Sequence, residues 1–388
     1  MFLLTKLLML ITSLAGGGAE RVASELSLNL SPSIDRQIVT LTDEVSYPSN
    51  KPPLSLGIEF RKPLALSFVY AFLRGVFEYK KLLREHKPEY SLSFLTLDNF
   101  INIVSNYGNR NTKTVISVHI ALSMKFRNSL KDKIAKIIVK KLYNKADLVI
   151  AVSEGVRNEL IKDFKINPDK VKVLYNPVDV NKIKYLSREV VQDEKWFSEN
   201  IPIIINVGRL AKQKGQWHLI RAFSKVREQI NCRLVIRGNG ELKPYLQNLV
   251  DELHLTKDVI FLEWKDNPFK YISKATVFAS SSLWEALPYA LTETMACGCP
   301  IISTNCKYGP QEILGNNEYG ILVPPMDGKT YTGVDPLTAE EISLAESIIK
   351  LLKCENLRSV YSAKSLERAS EFELIKCIEK YEKCLYEI

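Results

Sequence analysis

Apolar and polar positions along this chain alternate between two periods. Short apolar runs of strand length are followed by longer stretches whose apolar positions recur every three or four residues. Leu7–Ile11 reads as a strand, Glu20–Leu30 as a helix, Gln37–Leu41 as a strand and Leu66–His86 as a long helix rich in aromatics. Tyr90–Phe94 and Val115–His119 read as strands, and Lys125–Lys145 as a helix with Ile134, Ile137, Ile138 and Leu142 on one stripe. Leu148–Val152 and Val171–Leu174 are strands again. Asn176-Pro177 breaks the rhythm, and a polar stretch over roughly 179–200 reads as an interdomain connection.

The rhythm restarts with strands at Ile201–Val207, Arg233–Ile236, Val259–Leu262, Val277–Ala279 and Pro300–Ser303, and helices at Thr338–Cys354 and Ser359–Glu387 close the chain. Strand–helix alternation predicts parallel sheets covered by helices on both faces. The expected fold class is α/β: two doubly wound, Rossmann-like parallel-sheet domains facing a cleft, with ligands outside the carboxyl ends of the strands. The expected domains are 1–180, 181–365, and a C-terminal helix over 366–388 packing back toward the first.

A length of 388 residues suits two domains, and 46% hydrophobic with 25% charged residues is ordinary for a globular chain. All seven cysteines lie between Cys232 and Cys384, without the spacing of a zinc site, so buried reduced thiols are expected. The apolar start, Met1 to Leu14, is interrupted by Lys6 and followed by Gly16-Gly17-Gly18, which suits a strand, glycine turn and helix better than a signal peptide. No run reaches the roughly 18–20 apolar residues of a membrane span.

Charge changes the picture more. Residues 1–180 hold 26 Lys+Arg against 17 Asp+Glu, whereas 181–388 hold 27 of each. The excess concentrates in 61–145, with 17 basic against 5 acidic residues. A basic face seeks anions: nucleic acid, an anionic membrane or a phosphorylated substrate. No nucleic-acid motif accompanies it, and its apolar residues follow helical spacing.

Three constellations carry candidate chemistry. Gly16-Gly17-Gly18 after the first strand lets backbone N–H groups approach a ligand at a helix start, although it lacks the full dinucleotide fingerprint; a turn needed only for packing is the alternative. Gly208-Arg209 at a strand end, with Lys214-Gly215 downstream, places two cations where they can neutralise a diphosphate, unless both are merely solvated. Glu285 and Glu293, eight apart and bracketing Pro288, put one carboxylate in a loop and one inside a helix that starts near the proline. Carboxylates there can accept from sugar hydroxyls; a solvated glutamate beside a capping one is the alternative.

Read together, these pieces resemble the family-four retaining glycosyltransferases, a large GT-B family. The match runs through Gly16–Arg21, Val118-His119, Ala146–Ser153, Asn176-Pro177-Val178, Val207–Leu210 with Gln213-Lys214-Gly215, and Gly238–Glu241. It continues through the E-x7-E element Glu285–Glu293 with Met295–Ile301, then Gly309–Leu314 and Gly320–Val323. The resemblance implies that Arg209 and Lys214 would grip the donor diphosphate, Glu285 the donor sugar and Glu293 the ribose. His119 would lie across the cleft near the transferred sugar, and Gly17 would approach the phosphates or acceptor. Gly208, Gly238, Gly240, Leu287 and Pro288 would complete the donor site. One departure is Ala286, a position often glycine in that family, which bears on the loop conformation there.

The implied reaction is retaining transfer of a hexosyl or N-acetylhexosaminyl group from a nucleotide sugar, a UDP-sugar ahead of GDP-mannose, to a glycan acceptor. A polyprenyl-diphosphate-linked acceptor, in surface polysaccharide, O-antigen or glycoprotein glycan synthesis, would suit the basic first half. That implies a cytoplasmic enzyme held peripherally on the cytoplasmic face of an anionic membrane. The chain has no D-x-D pair, so no metal and no other cofactor is expected. The competing readings are a non-catalytic sugar-nucleotide-binding subunit and a GT-B sugar-nucleotide epimerase.

Overall fold

The structure, a computed structural model, describes residues 4–60, 64–126, 129–263 and 267–388. It divides into two compact units, one of residues 1–177 with 374–388 and one of residues 178–373.

The first unit is built on seven parallel strands: β1 (Thr5–Ile11), β2 (Ile34–Thr40), β3 (Leu54–Ser55), β4 (Tyr90–Ser93), β5 (Lys113–Val118), β6 (Leu148–Ala151) and β7 (Val171–Val173). Their order is β3-β2-β1-β4-β5-β6-β7. Leu7–Ile11 is buried throughout, as a central parallel strand covered on both faces requires. Leu8, Leu10, Val39, Tyr79, Leu83 and Ile101 form a core between the sheet and the helix Leu64–His86. The predicted helix over Lys125–Lys145 is split: one short turn at Leu122–Lys125, then Leu130–Tyr143, started by a capping box between Ser129 and Asp132.

The second unit repeats the plan with β8 (Ile203–Val207), β9 (Arg233–Arg237), β10 (Val259–Leu262), β11 (Val277–Ser280), β12 (Ile301–Thr304) and β13 (Ile321–Val323), in the order β10-β9-β8-β11-β12-β13. Trp217, Phe223, Leu234, Ile236, Val277 and Ile348 pack its core. A fully buried network ties the helix Gln216–Gln229 to the helix Ala339–Lys353: His218 Nδ1 and Arg221 Nε lie 2.8 and 2.9 Å from Glu341 Oε1.

Three expectations are corrected. Residues 179–200 are not a free connection. The stretch carries a helix, Val180–Leu186, and is bonded to the second unit: Asn267 donates to the Leu186 carbonyl and Ser273 to that of Ser187, Tyr271 bonds Asp193, and Arg233 bonds Glu199. The single closing helix is broken. Glu355–Ala369 ends in a tight turn at Ser370–Phe372, where the Val178 N–H donates to the Phe372 carbonyl at 2.8 Å, and Leu374–Tyr386 then joins the first unit. Cys354 is exposed, whereas Cys232, Cys299, Cys306, Cys377 and Cys384 are buried.

Candidate functional site

In the second sheet the strand order reverses between β8 and β11, and the loops leaving these neighbours carry the predicted charges. Such a switch point opens a crevice at the carboxyl ends of the strands. Lys214 Nζ lies 2.6 Å from Glu285 Oε1, and Gln213 Nε2 donates to Glu285 Oε2 at 3.1 Å and to the Trp284 carbonyl at 3.0 Å. The two loops are also joined through their backbones, Leu283 N–H donating to the Gln213 carbonyl at 2.8 Å. The Glu285 side chain is 8% exposed and that of Lys214 22%, so this pair is far less screened than a surface salt bridge.

Arg209 is exposed and forms no ion pair among the described residues. Its carbonyl accepts from Gln216 Nε2 at 3.0 Å. The glycines beside it have steric reasons. At Gly238, with φ +151°, a Cβ would lie 2.0 Å from the Gly208 carbonyl oxygen; at Gly240 it would lie 2.3 Å from that of Leu210. Glycine there lets the loops after β8 and β9 touch, with Leu210 N–H donating to the Asn239 carbonyl. Pro288 caps the helix Tyr289–Ala296, placing Glu285 before it and Glu293 inside it, both largely buried; Leu287 is buried in the loop between.

The first unit has its own switch point, between β1 and β4. Gly17 caps the helix Gly18–Asn29, and a Cβ on it would lie 2.1 Å from Glu20 Oε2. Burial raises the Glu20 pKa. Asp98, fully buried, accepts from Thr12 N–H at 2.9 Å and from Thr12 Oγ1 at 2.7 Å; burial pushes its pKa up to about 7 against the pull of those bonds. His119 follows β5, with Nε2 2.9 Å from Ser117 Oγ, and burial lowers its pKa to about 3, leaving a neutral imidazole. Thr12, Phe60, Phe94, Leu97, His119 and Tyr143 are among the residues lining a cavity of about 390 Å³ at these strand ends.

The structure thus brings Gly208, Lys214 and Glu285 together and leaves the Arg209 side chain exposed. Sequence reasoning missed Gln213 as the side chain joining both loops, although it stood beside Lys214 in the motif. It also missed Asp98, which no spacing marks, and the carboxylate over the glycine turn.

Two doubly wound parallel sheets, of seven and six strands, are the architecture of the GT-B class of α/β proteins. Residues 187–368 match the family Glycosyl transferases group 1 and residues 16–182 match Glycosyltransferase Family 4. An uncharacterized glycosyltransferase of Methanocaldococcus jannaschii is 33% identical over 346 residues, 81% of this chain and 84% of that one. The N-acetylgalactosamine-N,N'-diacetylbacillosaminyl-diphospho-undecaprenol 4-alpha-N-acetylgalactosaminyltransferase of Campylobacter jejuni is 32% identical over 375 residues, 96% of each chain. Among solved structures, Anabaena HepE in complex with UDP matches with a TM-score of 0.78 at 18% identity, over 99% of this chain and 100% of that one, a likeness of fold. The chain belongs to the family-four, group 1 glycosyltransferases and is a sugar-transferring enzyme of GT-B fold.

Proposed function

We propose that this enzyme moves an N-acetylhexosamine or hexose, with retention, from a UDP-sugar to a saccharide carried on a polyprenyl diphosphate. The observation that carries the reading is the buried Lys214–Glu285 pair at the second switch point. In this reading Lys214 and Arg209 neutralise the diphosphate as it leaves, Glu285 accepts from a donor-sugar hydroxyl and Glu293 from the ribose. Gly208, Gly238, Gly240, Leu287 and Pro288 shape the wall around them. His119, neutral, bonds the transferred sugar without carrying charge. Gly17, beneath the Glu20 carboxylate, suits hydroxyls rather than phosphates. With two cations for the diphosphate, no metal is needed, and transfer survives excess EDTA; loss restored by magnesium or manganese refutes this part.

The lipid-linked acceptor is supported by the substrate in the Campylobacter relative's name. It is supported also by exposed apolar residues of the first unit. Val69, Leu73 and Phe77 are exposed on the helix Leu64–His86, which also carries exposed Lys80, Lys81 and Arg84. Ile134, Ile137 and Ile138 are exposed on Leu130–Tyr143 among Lys133, Lys140 and Lys141; the Lys131 side chain lies outside the described residues. No helix among the described residues is long and apolar enough to cross a membrane. Apolar residues flanked by cations suit a peripheral seat on the anionic, cytoplasmic leaflet, each nearby cation adding about 1 kcal/mol. The experiment is a screen of UDP- and GDP-sugars with polyprenyl-diphosphate-linked saccharides, with the product anomer read by NMR and binding to anionic vesicles read by sedimentation. Salt-sensitive binding and an α-product from a UDP-α-sugar are expected. Transfer only to free sugars, or an inverted product, overturns it.

A further inference from the structure

Six non-glycine residues among those described have positive φ: Lys87, Lys165, His254, Asn316, Asn317 and Tyr308. Lys87, Lys165 and His254 follow the ends of helices, where a left-handed residue is the ordinary stop, and Asn316 and Asn317 follow Gly315, the left-handed stop of the helix Pro310–Leu314, in a conformation asparagine tolerates. Tyr308, at φ +63°, precedes a helix instead, and Gly309 beside it has a positive φ as well, +76°. A bulky side chain in this region is strained and persists only where its surroundings hold it.

Those surroundings belong to the loop that carries Glu285. The Glu285 N–H donates to the Lys307 carbonyl at 3.2 Å, and Trp284 pairs with Lys307 in a parallel bridge. A Cβ at Gly309 would lie 2.7 Å from Pro288 Cδ and 3.0 Å from the Ala286 carbonyl oxygen. The 307–309 turn, leaving β12 next to β11, is therefore locked against the segment 284–288. Tyr308 is half-buried, with Lys307 Nζ 5.1 Å from its ring centroid.

We infer that Tyr308 is a specificity-determining residue of the donor site, its ring packing against the sugar of the bound nucleotide sugar. The inference rests on the proposed reading of Glu285 and adds a second wall beside it. An aromatic ring offers a pyranose a flat apolar face, and its hydroxyl can bond at the rim. Glycine would adopt this backbone without strain, so replacing the tyrosine separates backbone from ring.

The test is calorimetry with UDP, UDP-N-acetylglucosamine and UDP-N-acetylgalactosamine, together with thermal melting, on wild type, Tyr308→Gly, Tyr308→Ala and Tyr308→Phe. Tyr308→Gly is expected to melt no lower than wild type and to bind UDP within about twofold, while the UDP-sugar it prefers weakens ~5-fold or more. Tyr308→Ala repeats the binding loss at a lower Tm, because it keeps the strained backbone, and Tyr308→Phe stays near wild type. A glycine variant that binds UDP-sugars as wild type does overturns the inference, as does one that melts lower and loses UDP too, which marks a structural residue. If wild type binds UDP but neither of these UDP-sugars, and UDP-glucose and UDP-galactose fail to bind as well, the proposed donor reading itself fails.

Discussion

The loops after β1 and after β8 occupy the same topological position, each leaving the first strand of its sheet at the switch point. Their chemistry is opposite. The first presents Gly17 under the Glu20 carboxylate, with Asp98 holding Thr12 at the strand end. The second presents Lys214 joined to Glu285, with Arg209 exposed beside it. A helix start favours anions in either place, but acidic side chains have claimed the first one. Position in a doubly wound sheet says where a ligand sits; the side chains that reach it say what charge it carries.

The sharpest break in this comparison comes from removing charge in the second loop. Lys214→Ala is expected to lower kcat/KM by ~10² or more, because it removes stabilisation that grows as the diphosphate leaves and strands a buried carboxylate. Arg209→Ala should lose a comparable factor without the stranded partner, so its Tm stays near wild type. Activity within threefold for both would undo the assignment.

Carboxylates at the two loops can then be set against each other. Glu285→Gln frees Lys214 while keeping the shape. Turnover should fall by ~10-fold or more, whereas UDP binding by calorimetry holds or tightens. Glu20→Gln, in the first turn of the helix after the other loop, should leave UDP affinity unchanged. Lost UDP binding in Glu285→Gln would place this residue on the nucleotide instead.

Backbone demands also differ. Gly238→Ala meets a carbonyl oxygen with a positive φ and should cost about 2 kcal/mol or more. Gly17→Ala, at φ −98°, needs only the Glu20 side chain to swing aside and should stay within about 1 kcal/mol. Equal melting shifts would show that both loops are held by backbone.

The smallest effect is in pH. The His119 pKa, about 3 when folded, lies below the ordinary value near 6.5. Its contribution is therefore intact above about pH 6.5 and declines as pH falls toward 3, because the unfolded chain takes the proton first. Its imidazole should remain neutral by NMR at pH 5, and His119→Gln should flatten the fall in Tm between pH 7 and 5. A midpoint near 6 would show a solvated ring.

What the sequence determined by itself was everything written in short-range periodicity. Eleven of the thirteen strands were legible as apolar runs; β3 has only two residues, and β13 is three residues within a motif that names no strand. The helix starting after Pro288, and hence the separate settings of Glu285 and Glu293, followed from proline's fixed φ. The tertiary structure decided what depends on distant partners. A 71-residue separation in sequence lies between Lys214 and Glu285, and nothing local announces that they meet. The polar stretch after Pro177 resembled a linker because its partners, Asn267, Ser273 and Tyr271, come some 80 residues later. The last helix broke where Val178 docks on Phe372, a contact no periodicity encodes. Exposure was decided in the same way. Tyr79 and Phe77, two apart on one helix, became core and surface respectively, because only one of them faces the sheet.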